Sequence, residues 1–384
     1  MRCCHRLLLF WLLLKSGGCS VRDPVAELPE PEPEPEPETC ERRERAARLF
    51  THSLCTCEAL TASAKISTDA FQGSLGPWVP GGRGASIATN GDLTANEELQ
   101  VGGSLWVAGT GAGIQLVARP LFVAGEFHSA GRLNGPQASV HVEGAASVAG
   151  DIDLASLRVD GTLSLPAERT LSVSGPLEVA ELRREPVVPF ASPCPCAATD
   201  LDDITTTVGD HAVDNDNASL PLDPDALAGF SGDSTLRLEA GRFYLRGISG
   251  GGTARLVVAG RSALFVDGAV SVGGLEVRLE EGAELDLFIA GGFSTGRWPG
   301  LDASQAPSRL RVYVTGEQQL TLPADISLVG NFYLPRTYLD VGAGAEIFGA
   351  VVARRVASSV PLSIHYDLDV SQGGPTCPPS APSP

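Results

Sequence analysis

A short phrase recurs along most of this chain and restricts the folds open to it: a few alternating apolar residues, then glycine. Val101-Gly-Gly103, Val107-Ala-Gly109, Val123-Ala-Gly125, Val142-Glu-Gly144, Val148-Ala-Gly150, Val159-Asp-Gly161 and Val173-Ser-Gly175 carry it first. Val258-Ala-Gly260, Val266-Asp-Gly268, Val272-Gly-Gly274, Ile289-Ala-Gly291 and Val314-Thr-Gly316 carry it later. Alternation of period two marks strands with one buried face, and glycine admits tight turns between them. Such strands coil into an all-β solenoid, a unit that grows by stacking. Gly103, Gly125, Gly144, Gly161 and Gly175 are 22, 19, 17 and 14 residues apart. These intervals approach one solenoid turn each but define no fixed repeat. The chain holds 44 glycines and only 6% aromatics, which suits thin, closely stacked strands better than a globular core.

The N-terminus reads as an address. Arg2 and Arg6 precede an apolar run, Leu7 to Leu14, too short to span a bilayer as a helix. Ser16-Gly-Gly-Cys19 follows. Residues 1–18 thus resemble the signal peptide of a bacterial lipoprotein. That resemblance implies lipidation of Cys19 as the first mature residue, and Ser20 in place of aspartate points to the outer membrane or cell surface. Residues 19–38 continue as a Pro/Glu tether, in which ring-fixed φ alternates with repelling charge and no core can form. The formal net charge is −18, which disfavours nucleic acid as a partner.

Six cysteines lie beyond the signal and Cys19: Cys40, Cys55, Cys57, Cys194, Cys196 and Cys377. An even number in an exported chain predicts disulfides. Cys55-Thr-Cys57 and Cys194-Pro-Cys196 are each too tightly spaced for an internal bridge. One motif is therefore expected to pair with the other, leaving Cys40 for Cys377. A four-thiolate zinc site is the rival, although zinc ligands usually stand two to four residues apart.

Residues 39–61 read as one helix, with Ala46, Leu49, Phe50 and Leu54 on a shared face. It is expected to cap the open first turn, with its arginines solvated. Residues 62–182 hold a first strand series and residues 233–370 a second. Between them, residues 183–232 form a Pro/Asp-rich insertion or connection, where Ile204, Val208 and Val213 would add a strand. Residues 371–384 are expected to be a disordered tail.

Few motifs carry chemistry. Asp214, Asp216 and Asn217 offer oxygen ligands for calcium, or else an acidic turn; no other cofactor is expected. Gly292-Phe-Ser-Thr-Gly296 matches a nucleophile elbow but lacks the helix that must follow. Trp298 stands in a Gly/Pro loop and could stack on a sugar. His365 and Asp367 share one face of the last strand, as a polar cap or a catalytic pair. Asp286, between inward-looking Leu285 and Leu287, is expected to face solvent.

The second series resembles an uncharacterised bacterial domain family. Gly241-Arg-Phe-Tyr-Leu245, Gly260 to Gly268, Gly282 to Gly291, Asn331-Phe-Tyr-Leu-Pro-Arg336, Val341 to Gly349 and Ile364-His-Tyr-Asp367 carry the resemblance. Its members end exported lipoproteins or proteins grouped with pilus-assembly factors. The resemblance implies a right-handed parallel β-helix and no catalytic residue. The function expected is that of a non-enzymatic, lipid-anchored envelope protein with a structural or adhesive role. Its partners would be the membrane, through the lipid, and polysaccharide or another envelope protein. A polysaccharide-acting enzyme and a pilus-associated assembly component are the alternatives.

Overall fold

The computed structural model describes residues 37–188, 190, 192–296, 307–322, 326–342 and 344–371, without the side chains of residues 37–41 and Asp202. Two helices, α1 (Pro37–Leu49) and α2 (Ala198–Asp210), accompany a parallel β-solenoid of about 12 turns. Strands of three residues suffice because each contributes two side chains to the core. Leu99–Val101, Leu105–Val107 and Leu121–Val123 bury their first and third residues and turn the middle one outward. Parallel, in-register pairing then stacks like positions above one another.

The turns do not follow each other in space as they do in sequence. Leu54–Ala62, the first strand of the chain, pairs on one side with Ile87–Thr89 and Leu93–Ala95. On its other side it pairs with Val351–Ser358, near the C-terminus. Ile66–Phe71 likewise lies between Leu99–Val101 and Leu362–Asp367. The chain therefore enters at the middle of the stack and builds outward to Arg184. It then returns along the flank and restarts at the far end with Ser234–Leu238, building back until its last turn meets its first.

One outward-facing position records the continuity. In spatial order it is occupied by Tyr244, Phe265, Phe288, Tyr313, Tyr333, Val352, Cys55, Ala88, Trp106, His128, Ser147, Ser164 and Arg183. Twelve steps at ~4.8 Å make a stack roughly 58 Å long. One apolar core runs through it, joining Leu54, Leu105 and Leu163 to Leu264, Val312 and Val351.

The recurrent glycines have a different role from the one their turns suggest. Gly103, Gly125, Gly144 and Gly161 stack directly, the amides of Gly125, Gly144 and Gly161 each donating to the carbonyl of the preceding glycine in the column at 2.8, 3.1 and 3.2 Å. None has a positive φ. A Cβ on Gly144 would stand 2.4 Å from the Gly125 oxygen, and one on Gly161 2.7 Å from that of Gly144. Close approach of neighbouring turns, not left-handed backbone, excludes a side chain. The 22-, 19- and 17-residue intervals are thus true turns of unequal length, whereas Gly175 belongs to another corner, above Ala155.

The helices occupy the flank of the second series. α1 stops at Leu49, short of the expected boundary, because Leu54–Ala62 is taken by the strand at the centre of the stack. Nor does α1 close an open end. Arg43 reaches Glu284, and the Phe50 carbonyl accepts from the Tyr366 hydroxyl three turns away, so the chain here runs along the axis of the stack. A 13-residue helix is ~20 Å long, enough to cover those turns. In α2, Leu201, Ile204 and Val208 recur at helical spacing, and all three are buried against the aromatic ladder. The strand expected there is absent, and Val213 lies beyond the helix, exposed.

Candidate functional site

Polar chemistry concentrates where the first and last turns of the chain meet. Asp69 and His365 are register partners on adjacent strands, so their side chains leave the same face. His365 Nδ1 lies 2.6 Å from Asp69 Oδ1, and its Nε2 3.1 Å from Glu346 Oε1. Asp69 also accepts from Trp78 Nε1 at 3.0 Å and from the Gly81 amide at 3.1 Å. Burial opposes ionisation of Asp69, but hydrogen bonds from His365, Gly81 and Trp78 together hold its carboxyl below the ordinary value. The Trp78 ring lies 4.0 Å from that of His365 and edge-on to Phe348. A cavity of about 380 Å³ adjoins, lined by Ser67, Asp69, Arg83, Gln100, Phe122 and His365 among others.

This arrangement clasps the loop at residues 72–84 onto the stack. Both Asp69 oxygens and both imidazole nitrogens are engaged by the protein. Ser67, Gln100 and Arg83 line the cavity together with the apolar Phe122 and Ala124. His365 and Asp367 do not form the pair their spacing allowed. Asp367 is buried and accepts from the amides of Gly73, Ser308 and Asp369; burial pushes its carboxyl up.

A second cluster lies beneath α1. Asp286 points out of the solenoid, as alternation predicts, but the helix covers it and it is buried. Arg311 grips it with Nε at 2.6 Å and Nη2 at 3.0 Å, and also reaches Glu284 at 3.0 Å. Arg43 meets Glu284 at 2.7 Å. Burial would raise the Glu284 carboxyl, yet Arg311 and Arg43 bring it down to about 2. Arg43 and Arg45, expected in solvent, are 6% and 7% exposed; Arg45 pairs with Asp203, and Arg48 with Asp200.

The proposed calcium ligands are spent internally. Asp214 and Asp216 close on Arg242, at 3.0 and 3.5 Å. Asn217 donates to the Tyr244 carbonyl and accepts from its amide. Among the described residues no group of three or more His, Cys, Asp or Glu could hold a metal ion. Ser294 sits within strand Phe293–Thr295, in register with Ser271, not on an elbow. Cys19, Trp298 and Cys377 lie outside the described residues, as does the side chain of Cys40 in α1.

The two Cys-x-Cys motifs are joined to each other. Cys55 is bonded to Cys194 and Cys57 to Cys196, with Cα–Cα distances of 5.6 and 5.7 Å. Cys55 belongs to the first turn, so the bonds fasten the returning segment at the centre of the stack. Asn90 reinforces this, exchanging hydrogen bonds with the Cys194 amide and carbonyl. Tyr333 donates to the Pro195 carbonyl at 2.8 Å.

No local sequence pattern marks Asp69, Glu346, Trp78 and Arg83. Their local patterns are those of ordinary strand and loop residues. Only the contact between the chain's first and last turns brings them together.

The fold is a parallel β-solenoid whose chain order is permuted in space. Residues 197–372 match the model of a family described as a domain of unknown function (DUF7305). The match begins at α2 and ends after the last turn of the second series, leaving the first series outside it. No curated protein and no solved structure matches the chain. Among the described residues no helix is long and apolar enough to cross a membrane.

Proposed function

We propose that this protein is an exported, lipid-anchored β-solenoid acting as a non-enzymatic structural or adhesive element of a cell envelope. The observation that carries the proposal is the pair of disulfides at the centre of the stack. Such bonds persist in oxidising compartments, in keeping with the basic, then apolar, then Gly-Gly-Cys19 start of the chain. The charged clusters serve cohesion: Glu284 and Asp286 hold α1, and Asp69 holds the loop at residues 72–84. The membrane is reached through the lipid on Cys19, and the flank is left for polysaccharide or another envelope protein.

Metabolic labelling with a palmitate analogue tests the anchor. Labelled protein in the membrane fraction is expected, with the label lost in Cys19→Ser. Unlabelled wild-type protein in the aqueous fraction would overturn it. The cleft beside His365 favours a second reading, an enzyme acting on polysaccharide. A glycan array read for turnover separates the two: glycans bound but intact support adhesion, and shortened glycans that survive when Glu346→Gln is substituted for the wild type contradict a site at this cleft.

A further inference from the structure

The two ends of the solenoid are finished differently. At one end the strand Gly241–Leu245 is covered by the chain's own residues 214–230. Asp216 donates its amide to the Arg242 carbonyl at 2.7 Å, Asn217 saturates the backbone of Tyr244, and Arg246 donates to the Pro224 carbonyl. Leu227 is buried there, and Leu220, Leu222 and Phe230 pack on the core.

Among the described residues the opposite end is uncovered. Its last turn consists of Leu171–Val173 and Leu177–Arg184, which among those residues pair only with the turn beneath, through Ile152–Leu165. Leu171, Val173, Leu177, Val179 and Leu182 continue the inward columns above Ile152, Leu154, Leu157, Val159 and Leu163. Yet Leu177 and Leu182 are 47% and 44% exposed. The outer backbone edge of this turn is a free template for another strand.

We infer that this bare turn is an interface with a second copy of the same chain, stacked end to end across a two-fold axis. The argument is the sequence of the turn, which is complementary to itself when reversed. Put the axis through the corner between Ala180 and Glu181 and through the middle of the opposite side, at Ser172. Antiparallel pairing then sets Val179 of one copy against Leu182 of the other. Leu171 meets Val173, and the aliphatic stem of Arg184 meets Leu177. The outward positions match too: Glu178 of each copy faces Arg183 of the other. The corner shifts the inward parity by one residue, so that 177, 179, 182 and 184 all face the core. Every pair formed by the axis therefore joins inward with inward and outward with outward, as antiparallel neighbours require. Reversal of an arbitrary edge would set like charges or mixed faces together. In the isolated chain Arg183 pairs with Glu181 two residues away, an exposed contact that gives little and is readily exchanged.

Ser172 lies on the axis opposite itself, at a separation within disulfide range. Full-length Ser172→Cys is therefore expected to give a disulfide-linked dimer under mild oxidation. Ser147→Cys, on the flank, is expected to give none. Sedimentation of the wild type should show a reversible monomer–dimer equilibrium. Glu178→Arg should weaken it roughly 10-fold or more by placing like charges together twice. The exchange Glu178→Arg with Arg183→Glu should restore most of the loss, with circular dichroism unchanged throughout. A monomer at every concentration, or Ser172→Cys cross-linking no better than Ser147→Cys, would overturn the proposal. So would a dimer indifferent to the charge variants.

Discussion

Gly144 shows how much one missing methyl group governs. Its neighbours above and below are Gly161 and Gly125, and the column leaves no room for Cβ. Gly144→Ala must push two turns apart or break the amide-to-carbonyl contact between them, and is expected to cost ~2–4 kcal/mol. Gly209, in the last turn of α2, has open space around it, so Gly209→Ala should be neutral or stabilising by ~0.5–1 kcal/mol through helix propensity. Thermal unfolding of the two variants beside the wild type checks both; equal effects would refute the stacking role. The positions of these glycines were legible in the sequence, but their reason was not. A glycine needed for φ and a glycine needed for proximity look the same in one dimension. Asp286 teaches the same point: alternation gives its direction out of the solenoid, while the cover of α1, from residues more than two hundred positions away, decides its burial.

At the scale of elements, the two helices and the solenoid hold each other through charge as well as packing. α1 rests on Glu284, whose carboxyl Arg311 and Arg43 bring down to about 2. The sign follows from linkage. The unfolded chain binds this proton near 4.5 and the folded one near 2, so the contribution is complete above pH 4.5 and fades as pH falls toward 2. α1 is therefore expected to gain amide exchange selectively as pH drops through this range, after correction for intrinsic rates. Glu284→Gln should flatten that pH dependence while lowering stability at pH 7 by ~3 kcal/mol or more, since Arg311 and Arg43 lose a buried partner. An α1 equally protected at pH 3 and pH 7 would contradict this account. The strands were legible because period two survives even in three-residue segments. The helix bounds were less so: Leu54 continues the apolar spacing of α1, yet folds into the strand that the centre of the stack requires.

At the scale of the whole molecule, the chain's first turn sits between its second and its last. No pattern in the sequence marks this, because every turn presents the same kind of edge and any two could in principle stack. The paired Cys-x-Cys motifs were the visible clue: they tie the start of the first series to the segment leading into the second. What the order changes is where the ends fall. The covered end belongs to residues 214–245 and the bare one to residues 171–184, so the middle of the chain supplies both ends of the stack. The contacts at the junction are specific: Glu58 with Arg354 and Arg355, Asp69 with His365, and Ser67 with Ser363.

Ser67 and Ser363 give the most direct test of this order. Their hydroxyls lie 3.2 Å apart on register partners, although 296 residues separate them in the chain. Were the series instead stacked in chain order, with the turn at Arg184 against that at Gly241, the two serines would stand at opposite ends of the solenoid. The measurement is peptide mass mapping, without reduction, of the oxidised monomer of Ser67→Cys/Ser363→Cys. A disulfide joining positions 67 and 363 within one chain is the result expected; two free thiols in a folded monomer would contradict the permuted stack.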